Sequence, residues 1–332
     1  MPQHPELRRQ RSYVSTQLRI VRAVLLRELF SGVDPMDFAN SSLGDDGYPH
    51  THMRPALVGA VLRAYEWQHR SNVSFWLECG SMLGGSLIRT AKVARQLNRD
   101  DGLSLVAIDP FTGDVNMWAG EAGATAANAR FRFLGLRHGQ PTIYHRFLAN
   151  VARAGLREAV LPIRATATVG LRLLGRLHRQ WRLPQLPQVI YLDSAHEQGE
   201  TLHELTVAWS LLPSTGGVLF GDDWGWTGVH ADLLAFLACL GRAGPLAVAQ
   251  ATELGRQLGE PALQRECRPE PTPAALMRHI HVEWGRTHSN TGRFCVEGGH
   301  ELAMFGVGQW VLFKTPESRT PTFCAPLSER LS

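Results

Sequence analysis

Four short apolar runs of this sequence each end in an acid. Phe75-Trp76-Leu77 runs into Glu78, Leu103–Ile108 into Asp109, Val189–Leu192 into Asp193, and Val218-Leu219-Phe220 reaches Asp222-Asp223. Carboxylates brought to one rim repel one another unless water, hydrogen-bond donors, hydroxyls or a cation meet them. After the first acid come Gly80, Ser81, Gly84, Gly85 and Ser86, just before a helical segment. Glycine permits a sharp turn and a close backbone approach. A glycine turn from strand into helix suits a nucleotide-like cofactor. The spacing here, E-x-G-x-x-x-G-G, is not the dinucleotide pattern G-x-G-x-x-G. Asp109 adds weight, because an acid closing the second strand can accept hydrogen bonds from both hydroxyls of a ribose.

A frame is needed to bring these residues together, and the hydrophobic pattern supplies one. It predicts helices over 56–70, from the glycine turn to about Leu97, and over 143–155, Thr168–His178, Gly199–Leu212 and Val229–Leu240. Strands are predicted at the four runs above, at Val160–Ile163 and at Trp310–Lys314. Residues 110–142 read as irregular and 257–275 as a polar, proline-rich loop. Strands alternating with helices predict an α/β fold, a doubly wound, mostly parallel sheet with helices on both faces. In such a sheet ligands sit outside the carboxyl ends of the strands, where the acids lie.

Glu78–Ser86 (ECGSMLGGS), Ile108-Asp109, Tyr191–His196 (YLDSAH) and Gly216–Trp224 (GGVLFGDDW), in that order, resemble class I S-adenosylmethionine-dependent methyltransferases. The nearest likeness is to the branch with an ID-x-x-H segment and a GGxxxxDD segment, which includes metal-dependent O-methyltransferases of natural-product sugars. The resemblance covers about 56–245, with Trp310–Lys314 resembling the last strand. It implies a Rossmann-like sheet of seven strands, the last antiparallel. It also implies a helical extension or lid over 1–55, a methyltransferase domain over 56–318 and a tail over 319–332. Within the domain, 245–305 is expected to be an insertion or a substrate-shaping region.

The resemblance further implies roles. Glu78, Gly80, Ser81, Gly84 and Ser86 would meet S-adenosylmethionine, Asp109 its ribose, and Ala165 or Thr166 its adenine by position alone. Asp193 would border the cofactor and, with Asp222 and Asp223, hold Mg²⁺, which favours oxygen ligands and keeps several waters. Asp193 and His196 would be catalytic, with His196 as general base because a near-neutral pKa suits that task. The acceptor would be a small hydroxylated molecule, and a homo-oligomer is left open.

Each of these residues has a plainer reading. Glu78 can cap the following helix, and Asp193 and Asp222 can be caps or turn residues. Asp223 can serve to order loops, and His196 can simply pack. Trp118, Trp224 and Trp226 can wall a pocket or fill a core. The segment Asp109–Trp118 is expected to fold over the cofactor or acceptor. Two other functions compete: an NAD(P)-dependent oxidoreductase on a similar sheet, which predicts the missing G-x-G-x-x-G, and a non-catalytic cofactor-binding protein.

Composition narrows the field. The 332 residues are 44% hydrophobic and 19% charged, a globular balance. Net charge is +4, and of the 34 basic residues only Lys92 and Lys314 are lysine, scattered arginines making up the rest. No basic stripe argues for a nucleic acid, and no run of about 18 apolar residues argues for a membrane span. Five cysteines without a C-x-x-C pair suggest neither a disulfide framework nor zinc, and His279, His281, His288 and His300 have no zinc spacing. The arginine-rich first thirty residues read as an N-terminal helix rather than an organelle transit peptide, given Glu6 and Glu28. A reducing, cytoplasmic setting is the default expectation.

Overall fold

The computed structural model describes residues 20–44, 53–119, 131–243, 292–296, 300–305 and 309–314, with 316 and 318. Helix α1 (Ile20–Phe30) is followed by α2 (Pro55–His69), β1 (Phe75–Cys79), α3 (Gly85–Gln96), β2 (Ser104–Asp109) and the short α4 (Val115–Ala119). Then come α5 (Ile143–Arg153), β3 (Val160–Arg164), α6 (Ala167–Arg179), β4 (Val189–Leu192), α7 (Glu200–Leu211), β5 (Gly217–Gly221) and α8 (Thr227–Ala243). Strands β6 (Gly292–Val296), β7 (His300–Phe305) and β8 (Gln309–Lys314) close the sheet.

The sheet order is β3-β2-β1-β4-β5-β8-β7-β6. The first five strands are parallel, and β8 runs antiparallel to β5. The doubly wound, mostly parallel fold is as expected, and among the described residues the sheet has eight strands where seven were expected. The added members β6 and β7 pair antiparallel with each other, and β7 pairs antiparallel with β8. Within the stretch expected as an insertion or substrate-shaping region, Gly292–Val296 and His300–Phe305 continue the sheet. The proline-rich 257–275, the tail from 319, and His279, His281 and His288 lie outside the described residues.

Parallel strands covered on both faces must be apolar on both, and β1, β2, β4 and β5 are buried throughout. Alternation sends Trp76 with Tyr191 and Phe220 into one core, against α2, α3 and α5. It sends Phe75, Leu77 and Cys79 into the other, against α1, α6, α7 and α8. Helix α6 shows the fit: Leu171, Leu174 and Leu177 are buried, while Thr166 caps its first turn by accepting from Val169 N. Each such leucine contributes about 1.5–3 kcal/mol.

Helix α1 packs on the second core. Val21 and Leu25 enter the second core, Arg22 pairs with Asp34 and donates to Arg157 O at 3.0 Å, and Glu28 pairs with Arg182. Residues 1–19 lie outside the described residues. No described helix is long and apolar enough to cross a membrane.

Candidate active site

The strand order reverses between β1 and β4, where an open α/β sheet leaves a crevice at its carboxyl edge. A cavity of about 390 Å³ lies at these ends, lined among others by Gly80, Ser81, Ser86, Asp109, Asp193, His196, Asp223 and Trp226. Its geometry begins at Gly80. This residue has φ +86°, and a Cβ there would lie 1.8 Å from Asp193 O. Only glycine lets the end of β1 run this close to the end of β4. Gly84 also has positive φ, but it faces the Phe147 ring rather than the cavity. Its neighbour Gly85 lines the cavity.

Glu78 is fully buried beneath the cavity wall and accepts a hydrogen bond from Ser86 Oγ at 2.7 Å. Its other oxygen, Oε2, is buried without a hydrogen-bond partner. Burial pushes its pKa up to about 7, with the Ser86 and Ser81 hydroxyls opposing and Asp109 adding to the rise. Asp109 takes the backbone N–H of Phe111 and, at 2.7 Å, of Met82, so it pins the two loops that flank it. A carboxylate has about four acceptor sites, which leaves capacity on the side that faces the cavity. Burial raises the pKa of Asp109 despite these N–H groups.

Asp193 ends β4 and accepts from the Tyr191 hydroxyl at 3.1 Å. Burial first, then Asp222 and Asp223, hold its pKa well above the usual carboxylate range. His196 Nε2 lies 2.7 Å from Asp223 Oδ2. Burial works against its charged form, but Asp223, with Asp114 and Glu204, outweighs it and raises the pKa above 6.5. Asp223 itself stands in a left-handed conformation, φ +60°. Ligating atoms of Asp193, His196 and Asp223 all lie within 4.8 Å of one another. Such a group of two carboxylates and an imidazole has the donor chemistry for a divalent cation.

Not every expected residue joins this group. Asp222 lies outside the triangle; its Oδ1 accepts the Asp223 amide at 2.9 Å and its carbonyl takes Trp310 Nε1. Thr166 caps α6 and, like Ala165, does not line the cavity. Of the three tryptophans, Trp226 lines the cavity, Trp224 is buried against His230, and Trp118 is exposed beside Phe131. The Asp109–Trp118 segment does reach the site, through Asp109, Pro110, Gly113, Asp114 and Met117.

Sequence reasoning assigned no role to several other lining residues: Met82, Phe133, Ile143 and Ser194. Ser194 stands inside the YLDSAH segment and was legible there as a polar side chain between two functional ones. Phe133 and Ile143 come from segments with no motif, and only the fold brings them in.

Residues 77–224 match a family model described as a methyltransferase domain. A search of curated proteins finds no match to this chain. Among solved structures, the O-methyltransferase NovP is 18% identical with a TM-score of 0.40, over 72% of this chain and 95% of that one. The calicheamicin methyltransferase CalS11 is 17% identical with a TM-score of 0.39, over 75% and 90%. TomG of Streptomyces achromogenes, an O-methyltransferase of tomaymycin synthesis, is 14% identical with a TM-score of 0.37, over 88% and 94%. These likenesses are distant, and the assignment does not rest on them. The family match falls on the strands and turns that build the cavity, so residues 77–224 of this chain are similar to a methyltransferase domain.

Proposed function

We propose that this protein transfers a methyl group from S-adenosylmethionine to a hydroxyl of a small molecule, assisted by a divalent cation. One observation carries the reading: a single cavity joins the glycine turn and Asp109 to Asp193, His196 and Asp223. The first set suits a nucleoside with a cationic tail, the second a hydroxyl to be deprotonated.

In this reading Gly80 and Ser81 border the methionine half of the cofactor, with Ser86 and the buried Glu78 behind them, and Asp109 accepts from the ribose hydroxyls. The cofactor supplies an electrophilic methyl carbon bonded to a sulfonium sulfur. Held by Gly80, Ser81 and Asp109, it would supply that methyl to an acceptor oxygen, with the neutral thioether as leaving group. The proton of the acceptor hydroxyl passes to the imidazole of His196, at Nδ1 while Nε2 keeps its bond to Asp223. Asp223 orients the ring and favours the imidazolium that forms. Asp193 and Asp223, with Asp222 beside them, would hold the cation, Mg²⁺ by their oxygen chemistry. A bound cation lowers the pKa of a coordinated hydroxyl. Apolar Met82, Met117, Phe133 and Ile143 in the same wall help exclude water from the displacement.

Calorimetry tests the reading. S-adenosylhomocysteine is expected to bind, about tenfold or more weakly in Asp109→Ala, and NAD⁺ is expected not to bind. Binding of NAD⁺ in place of S-adenosylhomocysteine would replace this function with hydride transfer. Mn²⁺ is expected to bind the wild type and to be lost in Asp223→Ala.

A further inference from the structure

The turn from Asp193 to Gly199 has no regular structure, yet it is tied down along its length. Asp193 N donates to Cys79 O at 2.9 Å. Thr201 Oγ1 donates to Ala195 O at 2.9 Å, and Asp232 accepts from Gly199 N at 2.6 Å and Leu202 N at 2.9 Å. Beside these and the His196–Asp223 contact, Ser194 Oγ donates to Glu204 Oε2 at 2.6 Å.

The Glu204 tie differs from the others in cost. Glu204 is buried on the face of α7 that gives Leu202, Leu205, Ala208 and Trp209 to the core. A leucine there would enter the core without desolvating a carboxylate. Burial pushes the Glu204 carboxyl up to about 7. The hydroxyl it holds belongs to Ser194, which lines the cavity between Asp193 and His196.

We propose that Glu204 is a positioning residue: acting through Ser194 from behind the sheet, it fixes the turn that brings Asp193 and His196 to Asp223 for a divalent cation. The cation half of this inference rests on the function proposed above; the positioning half rests on the hydrogen-bond geometry alone.

The test uses the full chain, Glu204→Leu and Glu204→Gln, amide hydrogen exchange, and Mn²⁺ titration by calorimetry. In Glu204→Leu, exchange at residues 194–197 is expected to speed at least about tenfold. Mn²⁺ affinity is expected to fall about 10–100-fold, with Tm unchanged or higher. Glu204→Gln keeps an oxygen acceptor for Ser194 and is expected to stay within about twofold of wild type in both readouts. If Glu204→Leu does not fold, Ser194→Ala carries the same expectation. Unchanged exchange in the leucine variant overturns the positioning role. Faster exchange with unchanged Mn²⁺ affinity overturns the cation half. A wild type that binds no Mn²⁺ overturns the metal reading itself, and exchange still decides the role of Glu204.

Discussion

Two glutamates flank the cavity from opposite faces of the sheet, and they differ in what holds their serine. Glu78 lies on β1, on the face of Trp76 and Tyr191, and takes Ser86 Oγ at 2.7 Å. Glu204 lies on α7, which packs on the other face, and takes Ser194 Oγ at 2.6 Å. Burial pushes both up to about 7. Ser86, however, belongs to the first turn of α3, whose own hydrogen bonds fix it, whereas Ser194 belongs to an irregular turn. The same pair thus serves two ends. At Glu78 the frame is already rigid, and the carboxyl would set the polarity beneath the side proposed for the cofactor. At Glu204 the carboxyl is proposed to supply rigidity to the side proposed for the acceptor.

The two halves touch at Gly80, and the largest effect is expected there. Gly80→Ala puts a Cβ 1.8 Å from Asp193 O, so the backbone must separate. A loss of about 3 kcal/mol or more of stability, read by denaturant unfolding, is expected together with loss of ligand binding. Next is His196→Ala, expected to lower kcat about 10²–10⁴-fold. As a base His196 must be neutral, so activity rises with pH through a pKa above 6.5. Asp223→Asn removes the carboxylate that raises it, and the rising limb of the profile moves to lower pH.

The pH dependence of stability sharpens the comparison. Both glutamates have folded pKa values of about 7 against an ordinary 4.5. The folded state therefore binds more protons between these values. Each group's contribution is complete below pH 4.5 and is lost as pH rises through 7, on the order of 3 kcal/mol. Glu78→Gln and Glu204→Gln should each flatten that fall in a thermal or denaturant series. The smallest effect is the most discriminating: Glu78→Gln should weaken S-adenosylhomocysteine a few-fold and leave Mn²⁺ binding alone. A Glu78 variant that alters Mn²⁺ binding alone would erase the distinction between the halves.

The parallel half of the fold was legible because each of its strands is short, apolar and closed by an acid or a turn, as at Ile108-Asp109 and Leu192-Asp193. The two extra strands were not, since Gly292 and Arg293 leave Gly292–Val296 only a three-residue apolar run, and the short run Leu302–Phe305 does not by itself distinguish strand from helix. Within the site, the strand-end acids could be named because topology delivers strand ends to one rim, whereas His196 was named through the resemblance that YLDSAH carries. Asp222 and Asp223 could not be told apart, because the fold decides which of two adjacent carboxylates meets His196, and it is Asp223. Glu204 was hidden among helix residues, and only burial marks it out.

The central claim is that one hollow receives both a sulfonium nucleoside and a divalent ion. A crystal structure of the full chain with S-adenosylhomocysteine and Mn²⁺ tests it most directly. Ribose hydroxyls are expected on Asp109, and an anomalous Mn²⁺ peak is expected between Asp193 and Asp223. Cofactor bound away from Asp109, or Mn²⁺ bound elsewhere with this hollow filled only by water, would contradict it.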